Sequence, residues 1–230
     1  MLGLPGFSCL MLEALPDLIF DSPSADALAD DAAFWQLYGS SFPSSEREPR
    51  NVILESLRNG VGLAVRARAG AGTVGFATSH LLRNPPVLFL VYLAVAPELR
   101  SRHMGRTLFE RIWSTGTQRY LERGLRPAGM VWEVAIPEPS SGQQELEQRH
   151  RRIAFFTRLG AHVLSGFYVQ PPVDGVASVP MHLMFRCSPG GSVPDNSALA
   201  SLVRAIYFEK YHEANRIPRP LLEELLLLNH

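Results

Sequence analysis

The amino-acid sequence predicts a mixed α/β fold, because strand-like and helical segments alternate along the chain. Short apolar runs bounded by turn residues indicate the strands, and apolar residues spaced three or four positions apart indicate the helices. With 230 residues, 46% of them hydrophobic and 19% charged, the chain has enough apolar material for a sizeable core. Its longest nearly uninterrupted apolar run, residues 87–96, has about half of the roughly 20 residues that a membrane-spanning helix needs.

The first half of the chain predicts a strand, two helices and three further strands. Residues 10–20 are apolar, with a break at Pro16, and predict the first strand and its turn. Residues 25–38 have helical spacing with Asp26 as a candidate cap, and residues 50–58 predict a second helix. The next three strands are predicted over residues 62–68, 74–82 and 87–96, the first two joined as a hairpin by a glycine-rich turn.

The second half predicts two long helices, the remaining strands and a helical tail. Residues 105–123 carry apolar side chains on one face and predict an amphipathic helix. The helix predicted over residues 146–159 ends at Gly160, and glycine suits a helix C-terminus because it adopts positive φ without strain. Strands are predicted over residues 130–136, 161–169 and 181–187, and tail helices over residues 198–214 and 220–228.

A segment rich in glycine, proline and serine, residues 188–194, is the best candidate for a linker. It divides the chain into a main domain over residues 1–187 and a C-terminal helical extension over residues 195–230. The extension is rich in leucine and aromatic residues, so we expect it to pack on the main domain or on a second copy of the chain. A homodimer is therefore one expectation from the sequence.

Charge and composition argue against several kinds of partner. The 22 basic residues are balanced by 22 acidic ones, so we expect no broad positive field for nucleic acid, and we see no basic face for membrane binding. Cys9 and Cys187 are far apart and the seven histidines form no helical pair with an acidic neighbour, so neither disulfides nor a metal are expected. The apolar N-terminal stretch lacks the basic residues of a secretory signal, which favours a cytoplasmic location.

The most informative segment is the loop between the strand at 87–96 and the helix at 105–123. It carries Arg100 and Arg102, followed by Gly105 at the start of the helix. A helix N-terminus presents unpaired N–H groups and a partial positive charge, so such a loop suits a phosphate or pyrophosphate group. A solvated turn in which Gly105 serves packing explains the loop equally well when the loop is taken alone.

Residues 93–108 resemble the acyl-CoA-binding motif of the GNAT superfamily of N-acetyltransferases. They read Leu-Ala-Val-Ala-Pro-Glu-Leu-Arg-Ser-Arg-His-Met-Gly-Arg-Thr-Leu, and the superfamily motif is Gln/Arg-x-x-Gly-x-Gly/Ala. Arg100 fills its first place and Gly105 its last, but His103 stands where the first glycine is usual. A side chain there requires either a compatible backbone angle or an altered cradle for the pyrophosphate. His103 is also a candidate phosphate contact.

Residues 149–161 are similar to a second superfamily pattern, the helix Asn-x-x-Ala-x-x-x-Tyr-x-x-x-Gly-Phe. Gly160 fixes the alignment, which puts Arg149 in the asparagine place and Phe156 in the tyrosine place. In many members that tyrosine protonates the departing CoA thiolate, which a phenyl ring cannot do. The resemblance therefore leaves the general acid unassigned, and Phe156 is expected to face either the core or the co-substrate.

The resemblance covers residues of about 10 to 187 and implies a mostly antiparallel central sheet with helices on both faces, followed by the C-terminal helical extension. Acetyl-CoA or another acyl-CoA would bind where the strands at 87–96 and 130–136 splay apart, and no metal is implied. Backbone groups of the first strand would pair with the pantetheine arm, and amides of the loop would hold the pyrophosphate. The implied contacts are Leu93, Ala94, Val95, Arg100, Ser101, Arg102, His103, Met104, Gly105, Arg106 and Phe156.

The implied reaction is transfer of an acetyl group to a small-molecule or peptide amine by direct attack in a ternary complex. It needs a base for the amine and a proton source for the thiolate. Glu133 is the best base candidate because it interrupts an apolar strand beside the cleft, although a solvent-facing position explains it too. Tyr168 is a candidate acid and Tyr92 is another, and both also suit ordinary packing.

Two other interpretations of the same residues stay open. His103 and Phe156 depart from the superfamily pattern, which favours a CoA-binding regulatory module with little or no catalysis. A nucleotide or nucleic-acid binder that uses the basic loop is a weaker possibility because the net charge is zero. Near the acceptor side, the aromatic residues Trp35, Tyr38 and Phe42 could form a pocket floor or a core stripe, and His80 could line the cleft or be structural.

Overall fold

The computed structural model describes residues 17–100, 103–138, 142–173, 175 and 177–228, and within them the chain forms one sheet of eight strands. The strand order is β1-β2-β3-β4-β5-β8-β6, and β7 also pairs with β8. Among these strands only β4 and β5 run parallel, which confirms a mixed α/β fold with a mostly antiparallel sheet. The strands are β1 Leu18–Asp21, β2 Gly62–Ala69, β3 Gly72–Arg83, β4 Pro86–Val95, β5 Gly129–Ala135, β6 His162–Val163, β7 Tyr168–Gln170 and β8 Val179–Cys187.

Seven α-helices accompany the sheet in the described residues. Short 3-10 turns lie at Ser44–Glu46 and Pro97–Leu99, and Ile206–Ala214 is π-helical. The predicted helix over residues 50–58 is confirmed at the same bounds. The helices are α1 Ala25–Ala29, α2 Ala32–Ser41, α3 Arg50–Arg58, α4 Met104–Glu122, α5 Gln143–Thr157, α6 Asn196–Ala205 and α7 Arg219–Leu228.

Alternate side chains of the central strands enter cores on opposite faces of the sheet, as the period of two requires. Leu88 and Leu90 of β4 pack in a core with α4. Val87 and Phe89 pack in a core that contains buried residues of α6, the π-helical segment and α7. Helices therefore cover both faces. The C-terminal extension contacts the main body of the chain directly, whereas the division at residues 188–194 stays a prediction.

The helix predicted over residues 25–38 is in fact two helices, and Asp31 is the reason. Its carboxylate accepts a hydrogen bond from the Phe34 N–H at 2.9 Å, which caps α2 and starts a new helix. The predicted cap Asp26 does not cap α1, because Ser24 does so and Asp26 is exposed beside Arg58. The same Asp31 carboxylate binds Arg66 and thereby ties α2 to β2.

Two further expectations needed correction, and one lies partly outside the described residues. The strand predicted over residues 161–169 is interrupted, because a bend at residues 165–166 separates β6 from β7. The tail helix predicted over residues 198–214 changes to π-helical geometry at Ile206. Of the first strand, predicted over residues 10–20, only the part after residue 16 is described, and it forms β1.

No helix in the described ranges combines the length and the apolar character that crossing a membrane requires.

Replacing Asp31 by alanine is expected to lower the free energy of unfolding by about 2–3 kcal/mol, because the variant loses a helix cap and charge-assisted hydrogen bonds. Burial alone would raise the pKa of Asp31, but hydrogen bonds from Thr73, the Phe34 N–H and Arg66 outweigh it and lower that pKa. A carboxyl with a lowered folded-state pKa contributes stability that is lost on acidification, so the difference between parent and variant should shrink below about pH 4.

Chemical denaturation at pH 7 and at lower pH measures this difference. Asp26→Ala is the matched control, because its exposed pair with Arg58 should contribute less than about 1 kcal/mol. Equal effects of the two substitutions would contradict the role of Asp31.

Candidate active site

A cavity of about 500 Å³ opens where β4 and β5 separate. Among the residues that the structure describes, the two strands pair at only two positions, Leu88 and Phe89 of β4. Strand β4 stays paired with β3 as far as Val95, so its edge facing β5 has no strand partner over its second half. Backbone N–H and C=O groups along such an edge need hydrogen-bond partners, which an extended ligand with amide groups can supply.

A bulge in β4 coincides with this separation. Thr78 of β3 lies opposite Tyr92 of β4. The next residue, Ser79, lies opposite Leu90, which leaves Val91 without a counterpart. A bulge bends its strand and increases the local twist. Strand β4 therefore departs from β5 just beyond their last pair.

Several predicted ligand residues line this cavity. Leu93, Ala94 and Val95 lie along its β4 wall, and Arg100 and Gly105 lie at the end formed by the start of α4. Arg100 is held there because its Nε donates a hydrogen bond to the Val95 carbonyl at 3.3 Å. The cavity therefore connects the unpaired strand edge with a helix N-terminus.

His103 precedes α4 with φ of 60° and ψ of 1°, the left-handed conformation that glycine adopts most easily. The backbone thus has the geometry that a glycine would give at this place, and the His103 side chain is exposed. The departure from the superfamily motif leaves the turn intact but adds local strain. The sequence left open a compatible backbone angle or an altered turn at His103, and the structure shows the compatible backbone angle.

The other predicted loop residues are placed less directly. Met104 is buried in the core beneath α4, and Arg106 is exposed and does not line the cavity. Ser101 and Arg102 lie outside the described residues.

Aromatic side chains of α5 close one side of the cavity. Phe155 and Phe156 both line it. The Phe156 ring packs on Trp132 with centroids 4.7 Å apart and on Phe109 at 5.6 Å, so it serves the core as well. The Phe155 ring lies close to the backbone of Gly105, because a Cβ atom at position 105 would come within 3.3 Å of it.

Glu133 of β5 lines the cavity, and three side chains donate hydrogen bonds to its carboxylate. Gln170 Nε2 binds at 2.6 Å, and the Tyr211 hydroxyl lies 2.8 Å from both carboxylate oxygens. The Tyr168 hydroxyl is the third donor. Glu133 and Tyr168, both singled out from the sequence, are therefore in direct contact. A carboxylate accepts about four hydrogen bonds, so the cluster leaves capacity for a ligand.

Burial raises the pKa of Glu133 above that of an ordinary glutamate, while the three donors oppose the rise and the nearby charge of Glu48 adds to it. Burial likewise raises the pKa of Tyr168 and of Tyr211 well above the ordinary tyrosine value, and the Glu133 charge strengthens both shifts. A carboxyl whose pKa is raised toward neutrality is better matched to proton transfer near neutral pH.

The two tyrosines occupy different positions relative to the cavity. Tyr211, from the π-helical segment, lines it together with Glu133 and Gln170. Tyr168 does not line the cavity, and its ring packs against Tyr207. Both tyrosines are 2% exposed, so Tyr211 differs from Tyr168 by bordering the cavity and not by its overall exposure.

Two more carboxylates, Glu46 and Glu48, line the same cavity. Burial raises the pKa of Glu46, with the charges of Arg152 and Arg149 acting against it. Glu48 forms an ion pair with Lys210, with Oε1 and Nζ 2.6 Å apart and both side chains 3% exposed. Asn215 donates a further hydrogen bond to the same Glu48 oxygen at 3.0 Å.

Tyr92 supports the segment that carries these two carboxylates and does not offer a free hydroxyl to the cavity. Its hydroxyl donates to the Glu46 carbonyl at 2.9 Å and accepts from the Glu48 N–H at 2.8 Å. The sequence left open whether the aromatic residues of α2 and the loop after it form a pocket floor or part of the core, and the structure shows both roles. Tyr38 is buried and bonds to the Glu48 carbonyl, whereas Phe42 lines the cavity.

Tyr211, Glu48 and Lys210 were not identified from the sequence as site residues. Tyr211 meets Glu133 across 78 residues of chain, and no local pattern reports such a contact. Lys210 does leave one signal, since it is the only lysine among 22 basic residues. His80, considered for the cleft, does not line this cavity and is buried elsewhere.

No group of three or more potential metal ligands is found in the part of the chain that the structure describes.

The architecture is that of known N-acetyltransferases. A protein described as a GNAT-family acetyltransferase from Bacteroides thetaiotaomicron matches with a TM-score of 0.63 and 21% identity, over 83% of this chain and 96% of its own. Arabidopsis thaliana NAA60 in complex with acetyl-CoA matches at 0.55 and 12%, over 76% and 100%. An aminoglycoside 6'-N-acetyltransferase complexed with coenzyme A matches at 0.54 and 16%, over 77% and 99%.

No protein-family model matches the chain, and no curated protein gives a significant match. The chain has the GNAT fold, and the fold expected from the two sequence motifs is confirmed.

The strain at His103 predicts how substitutions there behave. His103→Gly should change the free energy of unfolding by less than about 1 kcal/mol, because relief of the left-handed strain and the added freedom of the unfolded chain nearly cancel. His103→Val should lower it by about 1–2 kcal/mol, because a β-branched residue tolerates positive φ poorly. Thermal unfolding of both variants measures the difference, and equal stabilities would contradict a left-handed residue 103.

Proposed function

We propose that this protein is an acyl-CoA-dependent N-acyltransferase that uses acetyl-CoA as donor and an amine as acceptor. The observation that carries the proposal is a single cavity joining three features: the unpaired edge of β4, the N-terminus of α4 and the Glu133 cluster. The first two fit the amide-containing arm and the phosphates of a CoA molecule, and the third fits an amine. The GNAT fold supports this combination.

The residues present fit an acyl-CoA in size and chemistry. The backbone groups of β4 that face β5, beside Leu93, Ala94 and Val95, can pair with the two amides of pantetheine in the manner of an added strand, with the Val95 carbonyl already bonded to Arg100. The first backbone N–H groups of α4, with Arg100 nearby, suit the pyrophosphate. Phe155 and Phe156 provide an apolar wall next to this arm.

The chemistry then follows from charge and proton transfer. An amine enters as an ammonium ion, loses a proton to Glu133 and attacks the thioester carbonyl, so that a C–N bond forms and the C–S bond breaks. Tyr168 and Gln170 hold the Glu133 carboxylate in place, so we assign them positioning roles. Tyr211, which lines the cavity, is assigned as the proton donor to the CoA thiolate, the role that Phe156 cannot fill. It regains a proton from Glu133, to which it is hydrogen-bonded, and Glu133 then takes the second proton that the nitrogen loses as the amide forms.

The acceptor is a cationic amine. Glu133 and Glu46 present carboxylates to the cavity, and Glu48 contributes a third that is already paired with Lys210. Desolvated carboxylates attract an ammonium group and disfavour an anionic acceptor. Both a small diamine and the N-terminus of a peptide satisfy this charge pattern.

The alternative of a CoA-binding module without catalysis rested on His103 and Phe156. His103 keeps the left-handed turn, and Glu133 with Tyr211 forms an acid–base pair that a module without catalysis would not need. These observations favour the enzyme.

Gly105→Glu is expected to abolish acetyl-CoA binding, because it adds a negative charge and a side chain at the phosphate end of the cavity. Ser114→Glu adds the same charge to an exposed position further along α4 and should bind like the parent. Calorimetric titration with acetyl-CoA measures both. Binding that survives Gly105→Glu would place the phosphates elsewhere, and a parent that does not bind acetyl-CoA would refute the proposed function.

Glu133→Gln is expected to lower kcat for CoA release by at least about 100-fold, the usual minimum contribution of a general base, while acetyl-CoA binding is kept. In the parent, kcat should rise with pH through the pKa of Glu133, which lies above the ordinary carboxyl value. Tyr211→Phe should also lower kcat. Thiol detection of CoA over a panel of amines measures these rates, with the exposed Glu122→Gln as control. An active Glu133→Gln variant would exclude Glu133 as the base.

A further inference from the structure

A second, small cavity of about 20 Å³ lies directly behind the Glu48 wall of the large cavity. Glu48 and Val91 line both cavities, so their side chains lie between the two. Val91 is the bulged residue of β4, where the strand departs from regular pairing. About 10–15 Å³ suffices for one water molecule, so the small cavity has room for one.

The walls of the small cavity are unusually polar for the interior. The Oγ atoms of Ser56 and Ser79, the Oγ1 of Thr78 and the Nδ1 of His80 are buried and have no hydrogen-bond partner among the described residues. All four side chains line this cavity, and each residue is at least nine-tenths buried. Lys210 lines it too, with its ammonium group bound to Glu48. Buried polar groups nearly always have partners, so this arrangement is a built site for water.

A third cavity continues from the small one to the surface. His80 and Ser56 line both, and the third cavity, of about 320 Å³, also contains exposed Glu55, Asn59 and Glu213. The three cavities therefore form a series. Glu48 connects the first to the second, and His80 connects the second to the surface cleft.

We propose that the proton released by acetyl transfer leaves the active site through this series, along Glu48, Lys210, one buried water and His80. This inference rests on the proposed function. Conversion of an ammonium group and a thioester into an amide and a thiol removes two protons from nitrogen. One goes to the CoA sulfur, and the other must reach solvent while acyl-CoA and acceptor fill the large cavity.

Glu48 and Lys210 are already joined as an ion pair, and in the proposed route the buried water bridges Lys210 and His80. Glu48 receives the proton from the Glu133 side of the large cavity, which both carboxylates line. Lys210 first gives a proton to the buried water as that water passes one to His80, and then takes the proton held by Glu48, so its own charge is unchanged at the end. His80 accepts on one ring nitrogen and releases from the other into the surface cleft.

The surroundings of His80 disfavour its protonated form, so His80 passes a proton on and does not hold it. Burial, the Lys210 charge and the Arg83 charge lower its pKa to about 3. The other charged side chains that line the third cavity are Glu55, Glu209, Glu213 and Arg216. The imidazole is therefore neutral between turnovers and returns to the neutral form after each transfer.

The test uses kcat of the full chain with saturating acetyl-CoA and an amine that the parent acetylates. His80→Gln keeps a polar side chain but cannot pass a proton between two ring nitrogens, so kcat should fall about tenfold, as expected when a positioned proton carrier is lost. The KM values of both substrates should stay within about twofold of the parent, because His80 does not line the large cavity. The loss should grow in D2O. Added imidazole should restore kcat in His80→Ala and leave the parent unchanged.

Thr78→Val and Thr117→Val form a matched pair. Both remove a buried hydroxyl without a partner among the described residues while keeping the shape of the side chain, but only Thr78 lines the small cavity. Thr78→Val should lower kcat several-fold and Thr117→Val should not. A high-resolution crystal structure should show a water bound to Lys210 Nζ.

Three results would overturn the route and leave the acetyltransferase proposal standing. They are an unchanged kcat in both His80→Gln and Thr78→Val, a loss of kcat in Thr117→Val equal to that in Thr78→Val, and a small cavity that holds no water. If the parent binds acetyl-CoA but no amine of the panel causes it to release CoA, both the route and the acetyltransferase proposal are overturned.

Discussion

The separation of β4 from β5 after two residue pairs is the constraint on which the rest of the site depends. A sheet interior normally satisfies its own backbone groups, so an edge opened in the middle of a sheet must be satisfied by something else. The bulge at Val91 turns β4 aside, and the start of α4 lies at the far end of the gap. An extended donor that carries amides at one end and phosphates at the other matches both features at once.

The C-terminal extension completes the site. Its buried residues form one core with Val87, Phe89 and Val131 of the sheet, so they cover the face that α4 leaves open. The wider turn of the π-helical segment brings Lys210 and Tyr211 into the same region, one beside Glu48 and the other beside Glu133. Segments of π-helix are rare and often occur at functional sites, which agrees with this placement.

The sequence predicted most elements because their signals are local. Apolar spacing set the position of α4 to within one residue, and the pattern around Gly105 identified a loop of which Arg100 and Gly105 line one end of the cavity. The break at Asp31 was missed although its cap to the Phe34 N–H is local, because apolar spacing alone does not show where one helix ends and the next begins. Glu48 and Tyr211 were missed for a different reason, since their roles depend on which distant groups the fold brings to them. Glu133 was found because a carboxylate within an apolar strand is conspicuous without any partner.

The identity of residue 210 argues for a compact cation at this place. Every other basic residue of the chain is arginine, so a background preference for arginine is overridden where the cation is buried. A guanidinium group is a larger, rigid plane with five donors, and only about 20 Å³ is free beside Glu48 and Lys210. An ammonium group is a small, rotatable donor that can hold Glu48 and still bind a water. Burial of a charged pair gives little net stability, so the retention of this one pair is better explained by what it connects.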